Sequence, residues 1–148
     1  FHRELEDLLT RDEVQKIEWL YQVFEADQRN QLLMPSVIHS DLKPAHVLVN
    51  DSSGHLSGVL DWGDACLGDP DFDFACVQIF FGSEFLLRLL SLASQSDRER
   101  VLRKTPFFIL IRALQDVIFS KNRHDQRSVT TGLRKLRAHL STLNRISS

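Results

Sequence analysis

Three short aliphatic runs, Val37-Ile38, Val47-Leu48-Val49 and Leu56–Leu60, interrupt a chain whose apolar residues otherwise recur every three or four positions. A shift from a helical period to short β-branched runs narrows the possible folds sharply, because the two periods bury different faces. Asp51-Ser52-Ser53-Gly54 separates the second run from the third and carries the turn chemistry of a hairpin. So small a sheet is marginal by itself and must lie on helices. The expected class is therefore mainly α with a small β-hairpin. With 148 residues the chain can bury one real core and is short for two, so a single domain over 1–148 is expected.

The helical flanks have their own punctuation. Thr10-Arg11-Asp12-Glu13 fits a capping box, and Val14, Ile17, Tyr21 and Phe24 then form one apolar stripe, giving a helix over about 11–29 that Met34-Pro35 closes. After the hairpin, Asp71 to Phe81 reads as an apolar helix ending at Gly82. Ser83 is positioned to cap a helix through Ala93, and Ser96-Asp97-Arg98-Glu99 reads as a second capping box. Thr105-Pro106 places proline at a first helical position, opening an apolar helix to about Lys121. Val129, Leu133, Leu136, Leu140 and Leu143 form the seam of the last helix, which is too short for a sustained coiled coil.

Composition excludes several classes. Hydrophobic content of 43% and charged content of 26% are ordinary for a globular domain, and no apolar stretch approaches a membrane span. Cys66 and Cys76 have neither a disulfide framework nor metal-ligand spacing, so two reduced thiols and a cytoplasmic setting are expected. Net charge is −2, yet residues 37–76 carry one basic and seven acidic groups, whereas residues 77–148 carry thirteen basic and five acidic ones. An acidic centre favours a cationic ligand. The basic residues of the tail are scattered on helices without interleaved aromatics, which argues against nucleic acid as a partner.

The chemistry concentrates between Val37 and Ala75. His39, Asp41 and His46 follow the first run, Asp61 closes the hairpin, and Gly68-Asp69-Pro70-Asp71-Phe72-Asp73 leads into the next helix. Asp41 lies between a strand and a proline turn, so its carboxylate is fixed by backbone. Loop carboxylates gathered around one hairpin suit two tasks: accepting a proton from a nucleophilic hydroxyl, or holding a divalent cation.

The spacing His39-x-Asp41-x-x-x-x-His46, followed by Gly58-Val59-Leu60-Asp61-Trp62 and Gly68-Asp69-Pro70-x-x-Asp73, resembles the aminoglycoside phosphotransferase family, whose fold is that of protein kinases. The resemblance implies the C-terminal lobe of such an enzyme, with a catalytic loop over 37–50, a metal-binding segment over 56–75 and a helical remainder. It implies that Asp41 is the catalytic base and that Lys43 approaches the transferred phosphate. Asp61 would hold the metal of a Mg²⁺–ATP complex, with His39 and Asp73 as structural supports of the loop. Where the family usually carries asparagine this chain has His46, as macrolide-modifying relatives do. His46 is expected as a second cofactor and metal contact, and its nitrogen makes Mn²⁺ a candidate beside Mg²⁺. The twelve residues from Asp61 to Asp73 leave no room for a long activation segment, so a small hydroxylated acceptor is expected rather than a protein. Asp64, Asp69 and Asp71 near the site would suit a cationic one.

Phe1 to Leu9 resembles the start of the helical lobe. No glycine precedes Gly54, so the Gly-rich loop of an N-terminal lobe is absent, and the chain alone is expected to be inactive or nearly so. Two other readings stand beside this one: a metal-dependent hydrolase using His39, Asp41, His46 and Asp61, and a non-catalytic binding domain derived from a kinase.

Overall fold

The computed structural model describes residues 2–5, 7–31 and 34–143. Phe1 and Glu6, part of the stretch read as the start of a lobe, lie outside them. Within the described residues the elements are α1 (His2–Leu5), α2 (Arg11–Ala26), β1 (Ser36–Ile38), β2 (Val47–Val49), β3 (Leu56–Val59), β4 (Cys66–Gly68), α3 (Asp71–Phe81), α4 (Ser83–Leu90), α5 (Gln95–Asn122) and α6 (Gln126–Leu143). The fold is thus mainly helical with small two-stranded sheets. No described helix is long and apolar enough to cross a membrane.

The chain forms two compact units, Phe1–Gln31 with Pro106–Ser148, and Leu32–Thr105. In the first, Ile17 of α2, Leu110, Leu114 and Val117 of α5, and Leu136 and Leu140 of α6 build one buried cluster with Leu5 and Leu9. Each such side chain contributes about 1.5–3 kcal/mol of burial. The expected capping box opens α2: Glu13 N–H donates to Thr10 Oγ1 at 3.2 Å and Thr10 N–H to Glu13 Oε2 at 2.8 Å. Leu9 and Val14 lie on either side of it in the same core. Phe107 stacks on Phe24, with ring centroids 3.8 Å apart. A Cβ on Gly132 of α6 would meet Val117 Cγ2 at 2.8 Å, so glycine there is a condition of close helix packing.

In the second unit, β2 and β3 form the expected antiparallel hairpin, with a register irregularity after Leu48. Its turn is organised by Asn50, whose Oδ1 accepts from Ser52 N–H and Ser53 N–H, both at 3.0 Å, while Gly54 takes φ 68°. β1 joins no hairpin strand: it pairs antiparallel with β4, Val37 opposite Leu67. Val77, Leu86, Leu90 and Val101 form the buried cluster beneath, with Leu42, Phe74 and Phe81 against it.

Several helix boundaries differ from the sequence expectation, α2 among them, which ends at Ala26 rather than near 29. α4 begins at Ser83 rather than being capped by it, since Gly82 at φ 91° makes the turn, and it ends at Leu90 rather than Ala93. The cap of α5 is Ser94, not Ser96: Ser94 Oγ accepts from Asp97 N–H at 3.2 Å and donates to Asp97 Oδ2 at 2.6 Å. Pro106 does not open a helix but lies inside α5. Proline removes one N–H from the helical ladder. Burial of Val101, Thr105 and Leu110 on both sides of it keeps the helix continuous.

Candidate active site

Strand β1 delivers the chain to His39, and the next residue turns it sharply. Ser40 takes φ 61°, a left-handed conformation uncommon for any residue with a side chain. Asp73, in the first turn of α3, pins this turn from below: its Oδ2 accepts His39 N–H and its Oδ1 accepts Ser40 N–H, each at 2.8 Å. One carboxylate thus satisfies two successive backbone donors of the loop.

His39 is buried with both ring nitrogens committed to backbone. Nε2 lies 2.8 Å from the Leu60 carbonyl, which can only accept, so Nε2 carries the proton; Nδ1 then accepts Asp41 N–H at 3.3 Å. The ring binds the end of the hairpin to the loop and has no lone pair left for a metal. Its plane packs on His46, with centroids 5.6 Å apart, and on Trp62, at 4.9 Å.

Asp41, also largely buried, presents Oδ2 to Lys43 Nζ at 2.6 Å. His46 sits in a single 3₁₀ turn, residues Pro44–His46, that brings its ring back beside Asp41. Its Nδ1 lies 3.0 Å from the Asp41 carbonyl, so Nδ1 carries a proton and a neutral ring turns the Nε2 lone pair outward. Facing Nε2 at 3.1 Å is Asp61 Oδ2. Two acceptors at that distance require a proton or a metal ion between or beside them. Asp61 is itself left-handed, at φ 60°, and its side chain is 64% exposed.

Asp41, His46 and Asp61 each offer one ligand atom, and these atoms lie within 4.8 Å of one another. Two carboxylate oxygens and one imidazole nitrogen, two of the residues buried and one open to solvent, fit a divalent ion. The nitrogen suits Mn²⁺ better than Mg²⁺, which prefers oxygen throughout. The site residues named from sequence therefore converge, with His39 and Asp73 as braces.

The remaining acidic residues behave differently. Asp69 Oδ2 takes Lys104 Nζ at 2.7 Å, and Asp71, fully buried, takes the Arg100 guanidinium through Nε at 2.9 Å and Nη2 at 3.1 Å. Hydrogen bonding to Asp71, ahead of the opposing effect of burial, holds the Arg100 guanidinium well above its ordinary pKa. Asp69 and Asp71 are thus engaged internally and do not line a cation pocket as expected, which leaves Asp64 among the three. Sequence reasoning missed Arg100 and Lys104. They are four apart on α5 and flank buried Val101, a helical spacing that could have placed them on one inward face. It also missed Ser40, whose side chain gave no motif signal.

Comparison with known proteins gives this geometry a setting. The profile of the APH phosphotransferase enzyme family matches residues 1–104. Viomycin phosphotransferase of Streptomyces vinaceus is 32% identical over 106 residues, covering 68% of this chain and 36% of that protein. The GDP complex of wild-type aminoglycoside 2'-phosphotransferase-IIIa aligns with a TM-score of 0.79 at 25% identity, over 95% of this chain and 49% of that one. The gentamicin complex of APH(2")-IIa aligns with a TM-score of 0.71 at 26% identity, over 90% of this chain and 46% of that one. The chain therefore spans about half the length of these solved relatives and about a third of the viomycin enzyme.

Proposed function

The chain belongs to the APH phosphotransferase enzyme family, and on that premise we propose that it carries the catalytic loop and cation-holding residues of a small-molecule kinase. The reaction is transfer of the γ-phosphoryl group of ATP to a hydroxyl of a hydroxylated antibiotic or metabolite. The observation that carries this reading is the meeting of Asp41, His46 and Asp61 around one point, with ligand atoms within 4.8 Å. Their backbone is braced by His39 and Asp73.

Asp41 orients the acceptor hydroxyl and takes its proton as the new P–O bond forms and the bond to the departing ADP breaks. Burial and the ion pair with Lys43 hold its carboxylate in one place. Lys43 is partly exposed and can swing its ammonium from Asp41 onto the transferred phosphate. Asp61 and His46 hold a divalent ion, which when bound neutralises charge on the phosphates. Strained Asp61 is aimed by its turn rather than by a packed side chain.

The relatives support the acceptor class: one is named viomycin phosphotransferase and another is solved as a complex with gentamicin. Exposed Asp64 leaves acidic surface beside the site for an amine-bearing acceptor. A hydrolase built on two histidine ligands fits less well, because both nitrogens of His39 are taken by backbone.

The test is Asp41→Ala in the intact protein. Turnover is expected to fall by about 10²–10⁴-fold, the usual share of a general base, with nucleotide affinity little changed. Preserved turnover would remove Asp41 from the role.

A further inference from the structure

Ser40 stands between His39 and Asp41 in a conformation that costs a side-chain-bearing residue energy and that glycine adopts freely. All three of its polar groups are engaged, each by a different residue. Its N–H donates to Asp73 Oδ1 at 2.8 Å, its carbonyl accepts the buried Cys76 thiol at 3.5 Å, and its hydroxyl donates to the Asp64 carbonyl at 2.6 Å. The first two bonds involve only backbone atoms of Ser40, and glycine would keep them. The hydroxyl bond is what serine adds.

That bond crosses from the loop carrying Asp41 to the 3₁₀ turn Trp62–Asp64, whose preceding residue is Asp61. Asp61 has an exposed side chain, a left-handed backbone and no side-chain bond capping the turn it precedes. Apart from the contact with His46 Nε2 at 3.1 Å, its carboxylate is aimed through the backbone of that turn. The bond to the Asp64 carbonyl therefore ties the two ligand-bearing segments together just beyond the Ile38–Cys66 pair of the β1–β4 ladder.

We propose that Ser40 is a positioning residue: its hydroxyl latches the Asp61–Asp64 turn to the Asp41 loop and so sets the separation of the two carboxylates that share a divalent ion. This rests on the phosphotransferase reading for the ion itself, while the latch rests on geometry alone. Strain at Ser40 is then the consequence of placing a hydroxyl donor where the backbone requires a glycine-like turn.

Ser40→Gly separates the two roles of the residue, since it relieves the backbone conformation and removes only the hydroxyl. The variant is expected to fold and to melt no lower than the parent. Amide exchange is read first, in the absence of metal. The Ala65 amide, bonded to the Trp62 carbonyl at 3.1 Å, should exchange faster in Ser40→Gly, while amides of β2 and β3 keep their rates. Mn²⁺ alone is then titrated by electron paramagnetic resonance. Affinity should fall by about three- to tenfold, the effect of losing one hydrogen bond's worth of positioning. In an Asp61→Asn background, adding Ser40→Gly should weaken Mn²⁺ no further, because both changes act through the same carboxylate. Unchanged exchange at Ala65 would overturn the latch. Faster exchange with unchanged Mn²⁺ affinity, or additive losses in the double variant, would overturn positioning and leave a local structural bond. If Mn²⁺ binding to the parent is indifferent to Asp61→Asn, the cation assignment itself fails and the inference falls with it; dependence on Asp61 without dependence on Ser40 sinks the inference alone.

Discussion

His46 shows how much one side chain can decide at this site. The Asp41 carbonyl fixes the proton on Nδ1, so the ring has no choice about which nitrogen it turns to Asp61. An asparagine there would offer an amide oxygen instead, a harder donor that Mg²⁺ accepts more readily than imidazole. His46→Asn is therefore expected to lower the ratio of Mn²⁺ to Mg²⁺ affinity several-fold, measured by competition titration of the two ions. An unchanged ratio would mean that the ring contacts no metal. His39 is the contrast at the same scale. It belongs to the same residue type and lies 5.6 Å away between ring centroids, yet both its nitrogens are occupied by Leu60 and Asp41 backbone. The hydrolase reading put the two histidines on equal terms as ligands, and the family resemblance gave His39 a supporting role; the atoms facing each nitrogen supply the physical reason that separates brace from donor.

Among the elements, α5 holds the loop after β4 by charge. Lys104 is only 2% exposed and has no route to solvent that would hydrate its ammonium; it reaches Asp69 Oδ2 at 2.7 Å and Asp71 Oδ2 at 3.4 Å instead. Removing one partner of a buried pair costs about 3–5 kcal/mol, because the other charge stays behind unpaired. Lys104→Met should accordingly lower unfolding stability by about 3 kcal/mol in denaturant titration, Arg100 still covering Asp71. Adding Asp69→Asn should recover part of that loss, and a strictly additive double variant would show that the pair is not coupled. Arg100 and Lys104 also mark where the sequence stops being legible. Helices α2, α3 and α6 and the β2–β3 hairpin could be read because their signals are local: a capping box, an apolar stripe, the Asp51–Gly54 turn. β4 was unread because Cys66-Leu67-Gly68 is three residues long and pairs with β1 thirty positions away, so no periodicity accumulates. Asp71 was read as an acidic residue near the site suited to a cationic acceptor for the same reason, since its partners lie on α5, 29 and 33 residues distant. Pro106 misled because the rule that places proline at a helix start is local, while the burial that carries α5 through it is not.

The whole molecule has an acid response that these elements make separable. His139 of α6 is partly buried, with Nε2 donating to the Pro106 carbonyl at 2.7 Å. Burial, aided by the nearby positive charge of Lys16 and opposed by that hydrogen bond, pushes its pKa below the usual 6.5. Above pH 6.5 the imidazole is neutral in both folded and unfolded chains and contributes no pH dependence. As pH falls below that value the unfolded chain takes up the proton first, so the unfolded state binds more protons and stability declines until the folded pKa is passed. Glu13 acts in a lower window. Its bond to Arg137 is the largest of the influences that hold its pKa below the usual 4.5, so the stability it supplies is present above that value and is lost as pH falls through the folded pKa. The two groups thus titrate in separate ranges, and each can be silenced alone. His139→Gln keeps an N–H for the Pro106 carbonyl but cannot titrate. Between about pH 7.5 and 5.5 the melting temperature of the parent should fall further than that of His139→Gln, whereas Glu13→Gln should start lower than the parent, keep a constant gap there and converge with it only below about pH 4.5. Equal slopes for parent and His139→Gln across the upper window would mean that the ring is protonated as readily in the folded chain as in the unfolded one, and that burial beside Lys16 does not hold it neutral.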